Sequence, residues 1–212
     1  GTHDEELAQR FFRSLVEGSE DVRIPSFDKS KYNGEGDRAP ENEWQRVDQR
    51  TPVDVLIFEG WCLGFQPLSS QAIKGKWQAA LEARAKAPIN QTKGDFSVTT
   101  LADHDFQHLM AINDNLQRYC STFTGPQHFD CLIHLDTDDL VNVYRWRLQQ
   151  EHALHQAKGT GMSDEAVVAF VKGYMPAYEL YLDQLRNGFF SRQDDHRATE
   201  NGVQRKVQLR VV

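Results

Sequence analysis

The run Val53-Asp54-Val55-Leu56-Ile57-Phe58 is mostly apolar, rich in β-branched side chains, and stops abruptly at Glu59-Gly60. With Pro52 before it and a glycine behind, it reads as a buried strand of a parallel sheet covered on both faces, because a half-solvated strand would alternate polar and apolar residues. Open α/β sheets place their ligand crevice at the carboxyl ends of such strands. Glu59 is therefore the leading functional candidate, able to hold a magnesium ion through oxygen ligands or to orient and deprotonate a hydroxyl. Capping of the following turn is the plain alternative.

The 212 residues suffice for the core of one α/β domain. A formal charge of -7 argues against a general nucleic-acid or anionic-membrane surface, while a local basic pocket for phosphate remains compatible with it. Cys62, Cys120 and Cys131 are an odd set without metal-ligand spacing, as expected of reduced thiols in a cytoplasmic protein. No stretch reaches the roughly 18 apolar residues needed for a membrane span. Asn90-Gln91-Thr92 fits the glycosylation pattern, without a secretory signal to give it meaning.

Periodicity predicts the remaining elements. A helix starts at Thr2-His3-Asp4-Glu5, carries Leu7, Phe11, Phe12 and Leu15 on one face, and ends at Gly18. Residues 18 to 52, dense in glycine, proline and charge, read as a long loop. A weak helical pattern covers 70 to 86, and 87 to 100 read as loop. A strong amphipathic helix lies within 101 to 123. His104 and His108 stand one turn apart there, but no third ligand lies nearby to make a metal site. Phe129 to Leu135 is a second strand, ending in Asp136-Thr137-Asp138-Asp139, where Asp138 and Asp139 suit the cap of a helix over roughly 138 to 157.

That helix carries Arg145 and Arg147 near its start, where guanidinium groups reach toward phosphate; Arg147 has an alternative i,i+4 partner in Glu151. Ser163-Asp164-Glu165 caps a further helix, and Pro176 restarts it. The tail, 189 to 212, holds Asn201-Gly202 between alternating segments and suits a hairpin.

Several segments together resemble a known family. Gly1-Thr2-His3-Asp4, Phe27-Asp28-Lys29-Ser30, Gly34-Glu35-Gly36-Asp37-Arg38, Phe58-Glu59-Gly60-Trp61, Tyr144-Arg145-Trp146-Arg147 and Gly161-Met162-Ser163-Asp164-Glu165 occur in the order found in the D-glycerate 3-kinase-like branch of P-loop kinases. The likeness is to the fungal ATP-binding kinase-like proteins of that branch, relatives of uridine kinase, phosphoribulokinase and pantothenate kinase. It implies a three-layer α/β/α fold with a mostly parallel central sheet, spanning 1 to 212 as a single domain, with 138 to 162 as the lid region.

The resemblance also implies a phosphate loop, Gly-x-x-x-x-Gly-Lys-Ser/Thr, ahead of the Gly-Thr-His-Asp motif, and no stretch of these residues fits it: Gly75-Lys76 is followed by Trp77, and Gly94 by Asp95. That loop supplies backbone N–H groups and a lysine to the nucleotide. The chain is accordingly expected to be a portion truncated at its N-terminus, a poor ATP binder by itself, with one edge of its sheet exposed.

By resemblance, the function is transfer of the γ-phosphoryl of ATP, with Mg2+, to a hydroxyl of a small acceptor, with glycerate as a candidate. Glu59 is implied as the acid at the metal, and Arg145 as the lid arginine on the transferring phosphoryl, with Arg147 beside it on the nucleotide. Thr2, His3 and Asp4 are implied on the substrate side, and Lys29 and Arg38 as partners of an acidic acceptor. A noncatalytic remnant serving as an interaction module, and a kinase for another alcohol or nucleoside, stay open as alternatives.

Overall fold

A computed structural model describes residues 3–18, 21–28, 31–32, 36–48, 53–86, 96–190, 197–199, 202–204 and 206–212. Thr2, Lys29, Asn90 and the Gly34-Glu35 pair lie outside these residues.

Helix α1 (Glu5–Glu17) begins where Asp4 accepts a hydrogen bond from Leu7 N–H and ends at Gly18 in the left-handed conformation, the cap signals seen in the sequence. Four two-residue strands come after it as two antiparallel pairs, β1 (Arg23–Ile24) with β4 (Gln45–Arg46) and β2 (Phe27–Asp28) with β3 (Asp37–Arg38). Helices α2 (Ser70–Lys86) and α3 (Phe106–Tyr119) come next, α3 running into a π-helical turn over Cys120–Thr124. Strand β5 (Cys131–Leu135) leads to α4 (Val141–Lys158), α5 (Asp164–Lys172) and α6 (Met175–Asn187). At the tail, β6 (Arg197–Thr199) pairs antiparallel with β7 (Gly202–Gln204), and β8 (Val207–Val211) returns to pair in parallel with β5.

The core forms around α6. Leu180, Tyr181, Leu182 and Leu185 pack with Phe65, Ile73, Leu109, Leu116 and Leu132, joining α2, α3, α6 and β5. Leu109 has no exposed surface, so truncation to alanine costs on the order of 3 kcal/mol. A second cluster, Tyr144, Val167, Val171 and Met175, fastens α4 to α5 and the start of α6. The chain thus has an α/β fold in which, among the described residues, β5 and β8 pair in parallel, in keeping with the α/β fold that the family resemblance implies.

One sequence expectation fails. Residues 53–58 are not a buried strand: they pair with no other strand among the described residues, and Val55 and Ile57 are 76% and 86% exposed. An apolar run records that a segment needs cover on both faces but does not supply the neighbour, and here no strand pairs with it among the described residues.

Candidate functional site

Glu59 is positioned by the turn on its C-terminal side. That turn, Gly60–Phe65, is closed by backbone bonds from Leu63 to Gly60 and from Phe65 to Cys62. Gly64 has φ of 89° and lies against Leu185 and Leu132, so only a residue without Cβ lets the turn approach α6 and β5 this closely. Buried Asn113 then straps the next residues to α3, accepting from Leu68 N–H at 2.8 Å and donating to Leu68 C=O at 3.1 Å. Gln66 donates to Phe189 C=O at 2.8 Å.

Between this segment and β5 lies a cavity of about 760 Å³. Residues 55–60 and Trp61 form one wall; Cys131–Thr137 form another; Val143 and Trp146 of α4 and Tyr178 of α6 complete it. Glu59 sits on this lining with its side chain exposed, and among the described residues it has no hydrogen-bond or ion-pair partner. Trp61, at the same rim, packs on Tyr174 with ring centroids 4.5 Å apart.

The opposite rim is the carboxyl end of β5. The side chain of Asp136 is only 1% exposed and is gripped by Arg186 (2.8 and 2.9 Å) and Arg210 (2.6 Å) while accepting from Thr137 N–H at 2.8 Å. Burial alone would raise this carboxyl's pKa; the two guanidinium groups and the backbone N–H outweigh it and hold the pKa far below the usual carboxylate range. Next to it, His134 is buried, its Nδ1 has no hydrogen-bond partner, and burial lowers its pKa. Thr137 Oγ1 accepts from Asn142 Nδ2 at 3.0 Å, and Asp139 caps α4 by accepting from Val141 N–H at 2.9 Å.

The other sequence candidates fall elsewhere. Arg145 is exposed on α4, donates to Asn142 Oδ1 at 3.1 Å, and is outside the cavity lining. Arg147 is half-buried, 3.2 Å from Glu151 Oε2 and 5.2 Å over the ring of Phe170, which is the i,i+4 pairing rather than an open phosphate contact. His3 packs on Tyr119, ring centroids 4.7 Å apart, and burial lowers its pKa. Asp4 and Arg38, remote in sequence, meet as an ion pair at 2.7 Å. None of His3, Asp4 and Arg38 lines the Glu59 cavity.

Among the described residues no group of three or more His, Cys, Asp or Glu side chains stands together as a metal cage, and His104 contributes its carbonyl to the Trp77 indole N–H at 2.9 Å. No described helix is long and apolar enough to cross a membrane. Cys62, Cys120 and Cys131 are free thiols, and burial raises the pKa of Cys62 and Cys120, leaving them poor nucleophiles. The feature the sequence reading missed is the Asp136–Arg186–Arg210 cluster. Its only sequence trace is an aspartate at a strand's carboxyl end, since the arginines lie 50 and 74 residues away.

No protein-family model matches the chain. The uncharacterized kinase mug58 of Schizosaccharomyces pombe is 40% identical over 189 residues, covering 88% of this chain and 59% of that protein. The probable ATP-dependent kinase TDA10 of Saccharomyces cerevisiae is 36% identical, covering 86% and 54%, and the chloroplastic D-glycerate 3-kinase of Arabidopsis thaliana is 32% identical, covering 87% and 34%. Among solved structures, D-glycerate 3-kinase from Cryptococcus neoformans superposes with a TM-score of 0.71 at 32% identity, covering all of this chain and 64% of that one. The chain thus spans between a third and three-fifths of the length of these curated relatives. Over the stretch it shares with them, it belongs to the D-glycerate 3-kinase-like branch of the P-loop kinases.

Proposed function

We propose that this chain carries part of an ATP-dependent kinase that transfers the γ-phosphoryl group to a hydroxyl of a small hydroxy acid, with glycerate the leading acceptor. The observation that supports it best is the unpaired Glu59 carboxylate on the rim of the cavity that also reaches the carboxyl end of β5. Magnesium takes one or two carboxylates and keeps several waters, so an exposed, unpartnered glutamate fits as its ligand. When bound, the ion would neutralise charge on the phosphates.

The chain's own residues then have distinct tasks. Arg145, tethered among the described residues only to the Asn142 amide, is free to swing toward the phosphoryl oxygens as α4 moves. Arg147, locked to Glu151, supports the lid formed by residues 138 to 162 and stays near the nucleotide. Following the family resemblance, we assign Thr2, His3 and Asp4 to recognition of the acceptor, and Lys29 and Arg38 to the charge that meets its carboxylate. The nucleotide's phosphate loop is contributed by polypeptide outside these residues.

The test is a magnesium–ATP titration of this chain and of the chain extended ahead of Gly1, followed by an ADP-release assay on the extended protein with a panel of hydroxy acids, alcohols and nucleosides. Nucleotide binding confined to the extended protein, with turnover greatest on hydroxy acids and lost in Glu59→Gln, supports the proposal. Extended protein that releases no ADP with any acceptor favours the interaction-module reading.

A further inference from the structure

We infer that Trp61 is a positioning residue for Glu59: it ties the turn that carries this carboxylate to the corner between α5 and α6 and, through that corner, to the connection between α4 and α5. Among the described residues Glu59 has no polar tether of its own, so its placement depends on what grips the turn. Trp61 stands two residues further on. Its ring packs on Tyr174 at 4.5 Å between centroids, on Tyr178 at 5.8 Å and on Phe65 at 6.2 Å. A tryptophan placed only to fill the core would be covered as Phe65 is, at 2% exposure; Trp61 is 45% exposed and lays its ring on the corner instead.

Tyr174 occupies the break between α5, which ends at Lys172, and α6, which starts at Met175. On one side of the break the chain is fixed in the core, where Met175, Leu180 and Tyr181 have almost no exposed surface. On the other side α5 is held to α4, with Val167 and Val171 packed on Tyr144. Trp61 touches both the corner, at Tyr174, and the fixed helix, at Tyr178. A swing of α5 about the corner therefore alters the first contact and leaves the second. From Tyr174 the contacts continue outward: Phe170 meets its ring edge-on at 4.9 Å, and the Arg147 guanidinium lies 5.2 Å over the Phe170 ring. Arg147 pairs with Glu151 at 3.2 Å, and Glu151 accepts from Met162 N–H at 2.9 Å. Each link is a packed ring or a polar bond, so the Glu59 turn and the 159–163 connection share one contiguous network of the kind that carries coupling between sites.

The contact chain stands without the kinase reading, whereas its effect on turnover rests on that reading, so the two are tested separately. Hydrogen exchange in this chain is followed by NMR at the Leu63 and Phe65 amides, which close the turn by donating to the Gly60 and Cys62 carbonyls. Phe170 is 43% exposed and makes no ring contact with Trp61 among the described residues, so Phe170→Ala reaches the turn only through Tyr174. Exchange at both amides is expected to quicken roughly threefold to tenfold in Phe170→Ala, with α3 still protected. Trp61→Ala should quicken Met162 N–H in the same way, and Trp61→Phe should restore it. Quickening confined to α5 in Phe170→Ala overturns the inference. In the protein extended ahead of Gly1, Trp61→Ala and Phe170→Ala should each lower kcat about fivefold with the acceptor KM unchanged. The double variant should fall no further than the worse single one, because both changes cut the same chain. Losses that multiply would make the two residues independent and overturn the inference. An extended protein without turnover refutes the kinase reading alone, and the exchange result then decides whether Trp61 links the turn to the corner.

Discussion

Arg38 Nη2 lies 2.7 Å from Asp4 Oδ2, tying β3 to the residue that caps α1. The same carboxylate accepts from Leu7 N–H at 3.0 Å, so one side chain starts the helix and anchors the strand pair. Leu7 N–H and Arg38 together hold the Asp4 carboxyl below its ordinary value. A lowered carboxyl pKa stabilises the fold above the unfolded-state value and loses that contribution as pH falls through the folded one. Asp4→Asn keeps an acceptor for the cap but drops the charge. Exchange at residues 36–39 is expected to quicken in the variant at neutral pH and to match wild type once the solution is taken well below pH 3.8.

If the pair also serves the acceptor, Arg38→Ala in a catalytically competent, full-length protein should raise the KM for an acidic acceptor several-fold while kcat changes little. A neutral alcohol acceptor should show no such rise. An unchanged KM for the acidic acceptor removes Arg38 from the acceptor site and leaves it a tether for α1.

Asp136 carries a sharper stability prediction. Its side chain is almost wholly buried against Arg186 and Arg210, both of which keep some contact with solvent. Asp136→Asn leaves two guanidinium groups facing an amide, and urea unfolding at pH 7 should show a loss of roughly 2–3 kcal/mol. The folded pKa is strongly depressed from 3.8, so the gap between wild type and variant should persist down to about pH 4 and close as acid titrates the wild-type carboxylate below that. Neighbouring His134 acts in an earlier window. Its pKa is lowered from 6.5 by burial, so wild type should already lose some stability as pH falls below 6.5, and His134→Gln should flatten that first decline.

How far the sequence announced these features depends on whether the information is local. The Asp4 cap, Gly18, the Ser163 cap of α5 and the restart at Pro176 are written within one helical turn and appear where patterning places them. Strand β5 is equally legible, read from Phe129 to Leu135 and found at Cys131–Leu135, because its C-terminal end carries its own punctuation. The segment 53–58 shows the opposite case. Its composition stated the need for two covered faces, but cover is a property of other residues, so the reading misplaced it as buried. The ion pairs Asp4–Arg38 and Asp136–Arg210 join residues far apart in sequence and have no local signature, and patterning alone leaves Arg147 open to phosphate or to Glu151, with which it pairs in the structure.

Gly64 tests the placement of Glu59 from a distance. With φ at 89° and a Cβ that would come within 2.8 Å of Leu185, Gly64→Ala strains the backbone and pushes the turn from α6. A loss of about 1–3 kcal/mol is expected in thermal or urea unfolding. In an active protein the same change should reduce magnesium-dependent nucleotide binding more than acceptor binding, since the turn holds the Glu59 side of the cavity. Equal loss of both would mean that the turn supports the core without orienting Glu59.

Arg145 and Arg147 should separate cleanly. Glu151, nearly buried, accepts from Met162 N–H at 2.9 Å and pairs with Arg147 at 3.2 Å, pinning the 159–163 connection back onto α4. Gly161 is packed so closely that a Cβ would lie 2.9 Å from both Glu151 Oε1 and His155 Nε2. Removing the carboxylate in Glu151→Ala leaves Met162 N–H without its acceptor and the half-buried Arg147 guanidinium with a 3.4 Å bond to Gln150 Oε1 and the Phe170 ring but no counter-charge, so a loss of roughly 2–4 kcal/mol and faster exchange over 159–163 are expected. Arg147→Ala should resemble it in stability, with a smaller loss because Glu151 keeps its Met162 bond. Arg145→Ala breaks only an exposed bond to Asn142 and should leave unfolding within about 0.5 kcal/mol of wild type. In a catalytically competent protein it is Arg145→Ala, not Arg147→Ala, that should lower kcat on the order of a hundredfold or more, because a guanidinium acting on the transferring phosphoryl contributes at the transition state. Normal turnover in Arg145→Ala would assign the phosphoryl contact to another cation.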